Sequence, residues 1–241
     1  MKKVAVIQSN YIPWKGYFDI INDVDLFIFY DAVQFTKNDW RNRNKIKTAK
    51  GASWLTIPVG RCIDRLICEV KIDDSRWAKR HWETICQFYE RAPYFKQYKD
   101  FFAEAYLKKN WASLSELNQF LIKHIAWDIL GLKTEFKDSR DFKLSGGKTD
   151  RLIGLLKKAG ADVYYSGPAA KNYLEEEKFK ANKIKLIYKD YTGYPEYPQL
   201  FPPFVHEVSI LDLIFNVGPA APYYIWGWRD NSQGTADKDI S

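Results

Sequence analysis

Six consecutive residues, Trp40-Arg41-Asn42-Arg43-Asn44-Lys45, bring an indole, three cations and two amides into one short stretch. A guanidinium is planar and can grip a phosphate with two parallel N–H bonds, and an indole gives a nucleobase a flat surface to lie on. If the stretch is extended, Arg41, Arg43 and Lys45 share one face and Trp40, Asn42 and Asn44 the other. These residues form a candidate grip for a diphosphate or a carboxylate, and a solvated turn of mixed charge accounts for the same pattern. Upstream, the segment Gln8-Ser9-Asn10-Tyr11-Ile12-Pro13-Trp14-Lys15-Gly16 carries amides, hydroxyls and an amine between two backbone breakers. Gln8, Asn10, Tyr11, Trp14 and Lys15 could orient a substrate, with Gln34 from the next loop. The segment has no nucleophile–base pair, and Asn and Ser in such a turn also serve simply to satisfy backbone amides.

Chemistry near neutral pH needs a group that can take or give a proton, and two residues are candidates: Asp31 and His206. His206 precedes Glu207, Ser209 and Asp212. A Ser/His/Asp triad does not follow from these neighbours, because Ser209 has a simpler task as a helix cap, although its hydroxyl could also meet substrate. His81 and His124 fall in a helical stretch without spaced partners and read as structural. Ser145-Gly146-Gly147-Lys148-Thr149-Asp150 is not a P-loop, since the pattern would need glycine where Phe142 stands. What survives is a helix start with Lys148, able to hold an anion or to act as an ordinary cap. Ser166, before Gly167-Pro168 and Lys171, marks another strand-to-loop exit that could close the same crevice. The three cysteines, Cys62, Cys68 and Cys86, are an odd number without metal-ligand spacing, so reduced thiols and no metal site are expected.

The elements that must position these groups read as alternating strands and helices. Val4–Ile7 and Asp25–Tyr30 are apolar strand-like runs joined by a helical stripe from Trp14 to Val24, and a right-handed crossover makes them parallel. Their polar exits, after Ile7 and after Tyr30, should open on one sheet edge. Ser53–Val59 and Ile67–Ile72 read as further strands. From Ser75 to Gly131 the period becomes helical: Ser75 as cap of a helix through Glu90, Tyr94–Asn110, and a capping box at Ser113–Glu116. Strand-like Lys133–Lys137, helix Thr149–Ala159, strand Val163–Ser166, a short helix near Ala169–Glu176 and strand Ile184–Tyr188 follow. Tyr191–Pro203, rich in proline, should lie extended over the surface, and Ser209–Val217 forms a final helix. The expected fold is α/β, with a Rossmann-like, mostly parallel sheet in a core of residues 1–74 and 132–225. Residues 75–131 would be an inserted helical subdomain or lid, and 226–241 a flexible tail.

At 241 residues and 46% hydrophobic the chain can bury a sizeable core. Lys and Arg outnumber Asp and Glu by 37 to 30, which favours anionic partners such as phosphates, nucleotides, nucleic acid or acidic membrane surfaces. Basic residues are interleaved with acidic ones, which argues against nucleic acid. No apolar run approaches the ~18 residues of a membrane span, and no signal peptide is evident, so a cytoplasmic protein is expected.

The exit after the first strand has the shape of nucleotidylyltransferase-like folds, yet Trp14-Lys15-Gly16-Tyr17 stands where their paired histidines would be. A closer likeness exists. Gln8 to Phe18, Tyr30-Asp31 through Gln34, Trp40 to Arg43, and His206 with Ser209 to Asn216 and Gly218 resemble, in order, the WbqC-like family. The resemblance spans roughly residues 4 to 220. It implies a part in bacterial O-antigen and surface-polysaccharide biosynthesis, with transfer of an aminoacyl (for example glycyl) or other acyl group to the amine of a nucleotide-linked amino sugar. ATP and Mg²⁺ would be needed if the acyl group arrives as a free amino acid. A non-catalytic binder of the nucleotide sugar, or of another phosphorylated small molecule, is the alternative. Oligomeric state is left open.

Overall fold

The computed structural model describes residues 1–229, the side chain of Lys148 excepted. The fold is α/β and consistent with a Rossmann-like architecture. Its five parallel strands stand in the order β5-β2-β1-β6-β7: Glu135–Asp138, Leu26–Phe29, Lys3–Ile7, Val163–Ser166 and Lys185–Tyr188. Strands covered on both faces must be apolar on both, and β1 and β2 are. Ala5, Phe27 and Phe29 face one core, with α1 (Lys15–Asn22); Val4, Val6, Leu26 and Ile28 face a second, with Leu152, Ile153, Leu155 and Leu156 of α5 (Lys148–Lys158) and Phe179 of α6 (Glu176–Ala181). The chain leaves β1 for β2 on one side and returns to β6 on the other. Strand order therefore reverses beside β1, where open α/β sheets leave a crevice at the carboxyl ends.

Two expected strands differ. Ser53–Val59 begins earlier, as β4 (Gly51–Thr56), and pairs antiparallel with β3 (Arg43–Thr48) in a two-stranded hairpin apart from the main sheet. Ile67–Ile72 is no strand: Ile67–Glu69 is a 3₁₀ turn, because Ile67 and Val70, three apart, both turn into the core while the Glu69 carboxylate accepts from Leu66 N at 2.7 Å.

Residues between the hairpin and β5 form α2 (Arg76–Tyr89), α3 (Phe95–Ala103) and α4 (Leu114–His124), the last two ending in π turns. Ser113 caps α4, accepting from Glu116 N at 3.4 Å. Ser75 does not cap α2, since its own backbone is already helical; the Asp74 carboxylate takes Arg76 N at 2.9 Å instead. Trp77, Tyr89, Phe102 and Leu117 of these helices share one apolar core with Phe18 of α1 and Phe215 of α7 (Ile210–Val217). Residues 189–208 cross the molecule as a strap without regular structure, and Tyr194 and Tyr197 turn inward from it instead of lying on the surface. Of the expected tail, Trp226 and Gly227 close a π turn at Tyr223–Gly227 that Trp228 and Arg229 continue; 230–241 lie outside the described residues. Among the described residues, no helix is long and apolar enough to cross a membrane.

Candidate functional site

The exit of β1 is built on an unusual backbone. Ile12 has φ +36°, a region β-branched residues avoid, and such strain of roughly 1–3 kcal/mol persists only when neighbours hold it. The holder is Asn44 of β3, whose Nδ2 donates to the carbonyls of Tyr11 (3.0 Å) and Ile12 (2.9 Å). Tyr11 N donates to Trp40 O at 2.9 Å, Ser209 N to Lys45 O at 2.7 Å and Ile210 N to Pro13 O at 2.9 Å. The β1 exit, the hairpin and the start of α7 are thereby stitched together, backbone to backbone.

Over this junction lies a cavity of about 550 Å³. Asn10, Pro13 and Trp14 come from the β1 exit, Trp40 and Asn44 from the hairpin, Tyr191, Gly193 and Tyr194 from the strap, and His206 and Glu207 from the approach to α7. Trp14 meets the edges of Tyr191 and Tyr194 at 5.2 and 5.9 Å, so the walls are aromatic. Buried polar groups in proteins nearly always find partners, yet Asn10 Oδ1 and His206 Nδ1 are buried without any. Burial, followed by the charge of Lys15, lowers the His206 pKa, so the imidazole is neutral at pH 7 and can accept a proton.

Lys15 lies close by, 2% exposed, with Nζ donating to Pro195 O at 3.2 Å and facing the rings of Tyr194 (4.8 Å) and Tyr197 (5.3 Å). Burial outweighs the pull of Asp19 and brings its pKa down to about 8. The strap wall is fixed from behind. Tyr194 donates its hydroxyl to Asp19, which also accepts from Lys189 Nζ at 2.7 Å and from Arg229 at 3.0 and 2.8 Å. Gly193 backs onto Trp228, and a Cβ there would come within 2.9 Å of the indole. Trp228 Nε1 is a further buried donor without a partner.

Beside the cavity mouth the hairpin presents a cationic, aromatic face. Arg43 lies 4.1 Å over the Trp54 ring, Lys45 at 5.2 Å, and Trp40 stacks tilted against Trp54 at 5.4 Å. Strand alternation puts Asn42 and Asn44 inward, as expected for an extended segment. Trp40 departs from it, because it stands in the turn before β3 and swings to the side of Arg43 and Lys45. Arg41 also precedes the strand and pairs with Asp39 at 2.9 Å.

Asn10, Trp14, Trp40 and His206 are thus brought together around one cavity, with Lys15 behind it and Arg43 and Lys45 on the adjoining hairpin face. The other candidates are not in the lining. Asp31 is fully buried and accepts from Ser9 N (2.8 Å), Gln119 Nε2 (3.1 Å) and the Ser115 hydroxyl, so it joins the β1 and β2 exits to α4. Tyr11 is a core ring bonded to His81 Nδ1 (2.9 Å) and to Tyr106. Gln8 receives the Tyr17 hydroxyl on its carbonyl, and Asn42 Nδ2 bonds Ile57 O at 3.0 Å. Gln34 is exposed and bonds Ile63 O, Ser209 caps α7 through Leu211 N at 3.2 Å, Ser166 is buried, and Lys171 is exposed over Tyr188. The Lys148 side chain lies outside the described residues. The lining residues that were not candidates from sequence are Pro13, Tyr191, Gly193, Tyr194 and Glu207, with Trp54 on the hairpin face; tyrosines in a proline-rich strap were the signal for two of them.

Among the described residues, no three His, Cys, Asp or Glu side chains cluster closely enough to hold a metal ion. A Mg²⁺ carried on substrate phosphates needs only one or two protein carboxylates, and the lining supplies Glu207.

No solved structure matches this chain significantly. A protein of Mycobacterium tuberculosis strain H37Rv, "Uncharacterized protein Rv1507c", is 47% identical over 228 residues, covering 93% of this chain and 98% of the relative. The model of the WbqC-like protein family matches residues 8–224. With three of its four motif blocks meeting at one junction and a match over residues 8–224, the chain belongs to the WbqC-like protein family.

Proposed function

We propose that the protein is a cytoplasmic sugar-modifying transferase of surface-polysaccharide biosynthesis, moving an aminoacyl or other acyl group onto the amine of a nucleotide-linked amino sugar. The observation that carries this reading is the unpartnered, neutral His206 imidazole facing an aromatic cavity of about 550 Å³, a volume suited to a sugar and a small acyl group. Trp14 and Tyr194 offer flat faces to the sugar ring, and Asn10 an amide to its hydroxyls. His206 takes the proton from the amine as its nitrogen attacks the acyl carbon, and the bond to the activating group breaks with its electron pair. Arg43 and Lys45 would hold the phosphates. If the acyl group arrives as a free amino acid, ATP supplies the activation as an adenylate or acyl phosphate.

Incubation of purified protein with nucleotide-linked amino sugars, glycine, ATP and Mg²⁺, followed by mass spectrometry, tests the reading. A sugar heavier by one acyl residue, with AMP or ADP released, is expected. Calorimetric binding with no product over hours would contradict transfer and support a non-catalytic binder.

A further inference from the structure

We infer that the outer face of the β3–β4 hairpin is the subsite for a nucleoside diphosphate, with the base on the Trp40–Trp54 pair and the diphosphate against Arg43 and Lys45. This deepens the reading above and rests on it for the sugar lying in the adjoining cavity. Trp40 and Trp54 are 42% and 40% exposed yet lie against each other, an arrangement that leaves a large part of both indoles in water. Register places Lys45 directly opposite Trp54, and Arg43 reaches the same ring from the neighbouring position at 4.1 Å. Among the described residues no carboxylate pairs with Arg43 or Lys45, whereas Arg41, two residues away, is taken by Asp39. Arg43 is moreover held against the Trp54 ring, so its guanidinium is positioned and, among the described residues, has no anion.

Trp40 belongs to both features, lining the cavity and stacking on the platform, so one elongated ligand can occupy both. A lipid-linked diphosphate would satisfy the cations equally well. It would leave the indole pair with nothing flat to receive, and stacking on an aromatic side chain is what a base adds.

The test needs neither sugar nor acyl donor. Tryptophan fluorescence is followed while UDP, dTDP, CDP, GDP, ADP, inorganic pyrophosphate and farnesyl diphosphate are titrated into the wild-type chain and the Trp54→Ala and Arg43→Gln variants. Trp54 is exposed and Arg43 half-buried, and circular dichroism checks that both variants are folded. At least one nucleoside diphosphate should bind more tightly than pyrophosphate or farnesyl diphosphate. Trp54→Ala should weaken that nucleotide about tenfold while sparing pyrophosphate, and Arg43→Gln should weaken both. Pyrophosphate or farnesyl diphosphate binding as tightly as every nucleotide, or a nucleotide affinity unmoved by Trp54→Ala, would overturn the inference. Nucleotide binding as described, with no acylated product in the transfer assay, would leave this subsite standing and remove only the acyl-transfer reading.

Discussion

Two sets of buried polar groups in this molecule behave oppositely. Asp19, Asp31 and Asp212 are 0–1% exposed, and each is surrounded by donors: Lys189, Arg229 and Tyr194; Ser9 N, Ser115 and Gln119; Tyr89, Tyr197 and Gln199. The groups facing the cavity, Asn10 Oδ1 and His206 Nδ1, have no partner at all. A buried charge whose acceptors are filled is an architectural tie, since separating it from its partners costs more than the tie itself contributes. A buried polar atom facing a cavity with no protein partner is free to bond a ligand group, which distinguishes it from a brace. By this criterion Asp31, an attractive base on sequence grounds, is held as a brace, and His206, with its unpartnered Nδ1 at the cavity, is the base the proposed transfer would use.

The comparison can be broken most severely at the braces. Asp19→Ala takes the carboxylate from Arg229 and the Tyr194 hydroxyl and leaves Lys189 with Asp23 alone, and should cost about 3 kcal/mol, read from the urea midpoint. His206→Ala removes no bond within the protein and should leave that midpoint within ~1 kcal/mol while turnover falls about 100-fold or more. If Asp19→Ala is silent, or His206→Ala unfolds the chain, the division between the two sets fails.

Acid should act through a third group on the brace side. Burial lowers the His81 pKa from 6.5 to about 4, so in that window the unfolded chain binds a proton that the folded chain refuses. Stability is therefore full above pH 6.5 and falls as the pH drops toward 4, by on the order of 3 kcal/mol. His81→Phe should flatten this part of the profile in thermal unfolding scans. Asn44→Ala removes two bonds to the β1 exit and should cost roughly 2 kcal/mol, with weakened ligand binding as the Ile12 backbone relaxes. The smallest effect sharpens the cavity side: Lys15→Met takes away the cation that helps hold the His206 pKa down, so the acid limb of the transfer rate should move to higher pH.

Much of the fold was legible. Val163–Ser166 is a strand to the residue, because an apolar run ends at Gly167-Pro168, and Ser209 caps its helix as its hydroxyl chemistry requires. The parallel sheet followed from the crossover pattern. Strand order did not, since nothing local tells β6 to lie beside β1. The hairpin was hidden for the same reason: Trp54 reads as one more strand residue until the register sets it opposite Lys45. At the site, residue type put Asn10, Trp14, Trp40 and His206 among the candidates, and the fold brings these four around one cavity. It could not tell an open group from a satisfied one, because Asp31 is filled by residues 22, 84 and 88 positions away. Tyr194 was missed because its placement depends on Asp19 and Arg229, neighbours only in space.

The chain has three histidines, His81, His124 and His206, so ¹⁵N NMR of the imidazoles can report on each separately. Titration with a panel of nucleotide-linked amino sugars tests the central claim, that the open groups of the cavity receive the substrate. At least one of these ligands should move the His206 resonances, and change their pH titration, while His81 and His124 stay in place. A panel in which no ligand moves His206, or in which a ligand moves His81 or His124 instead, would contradict it.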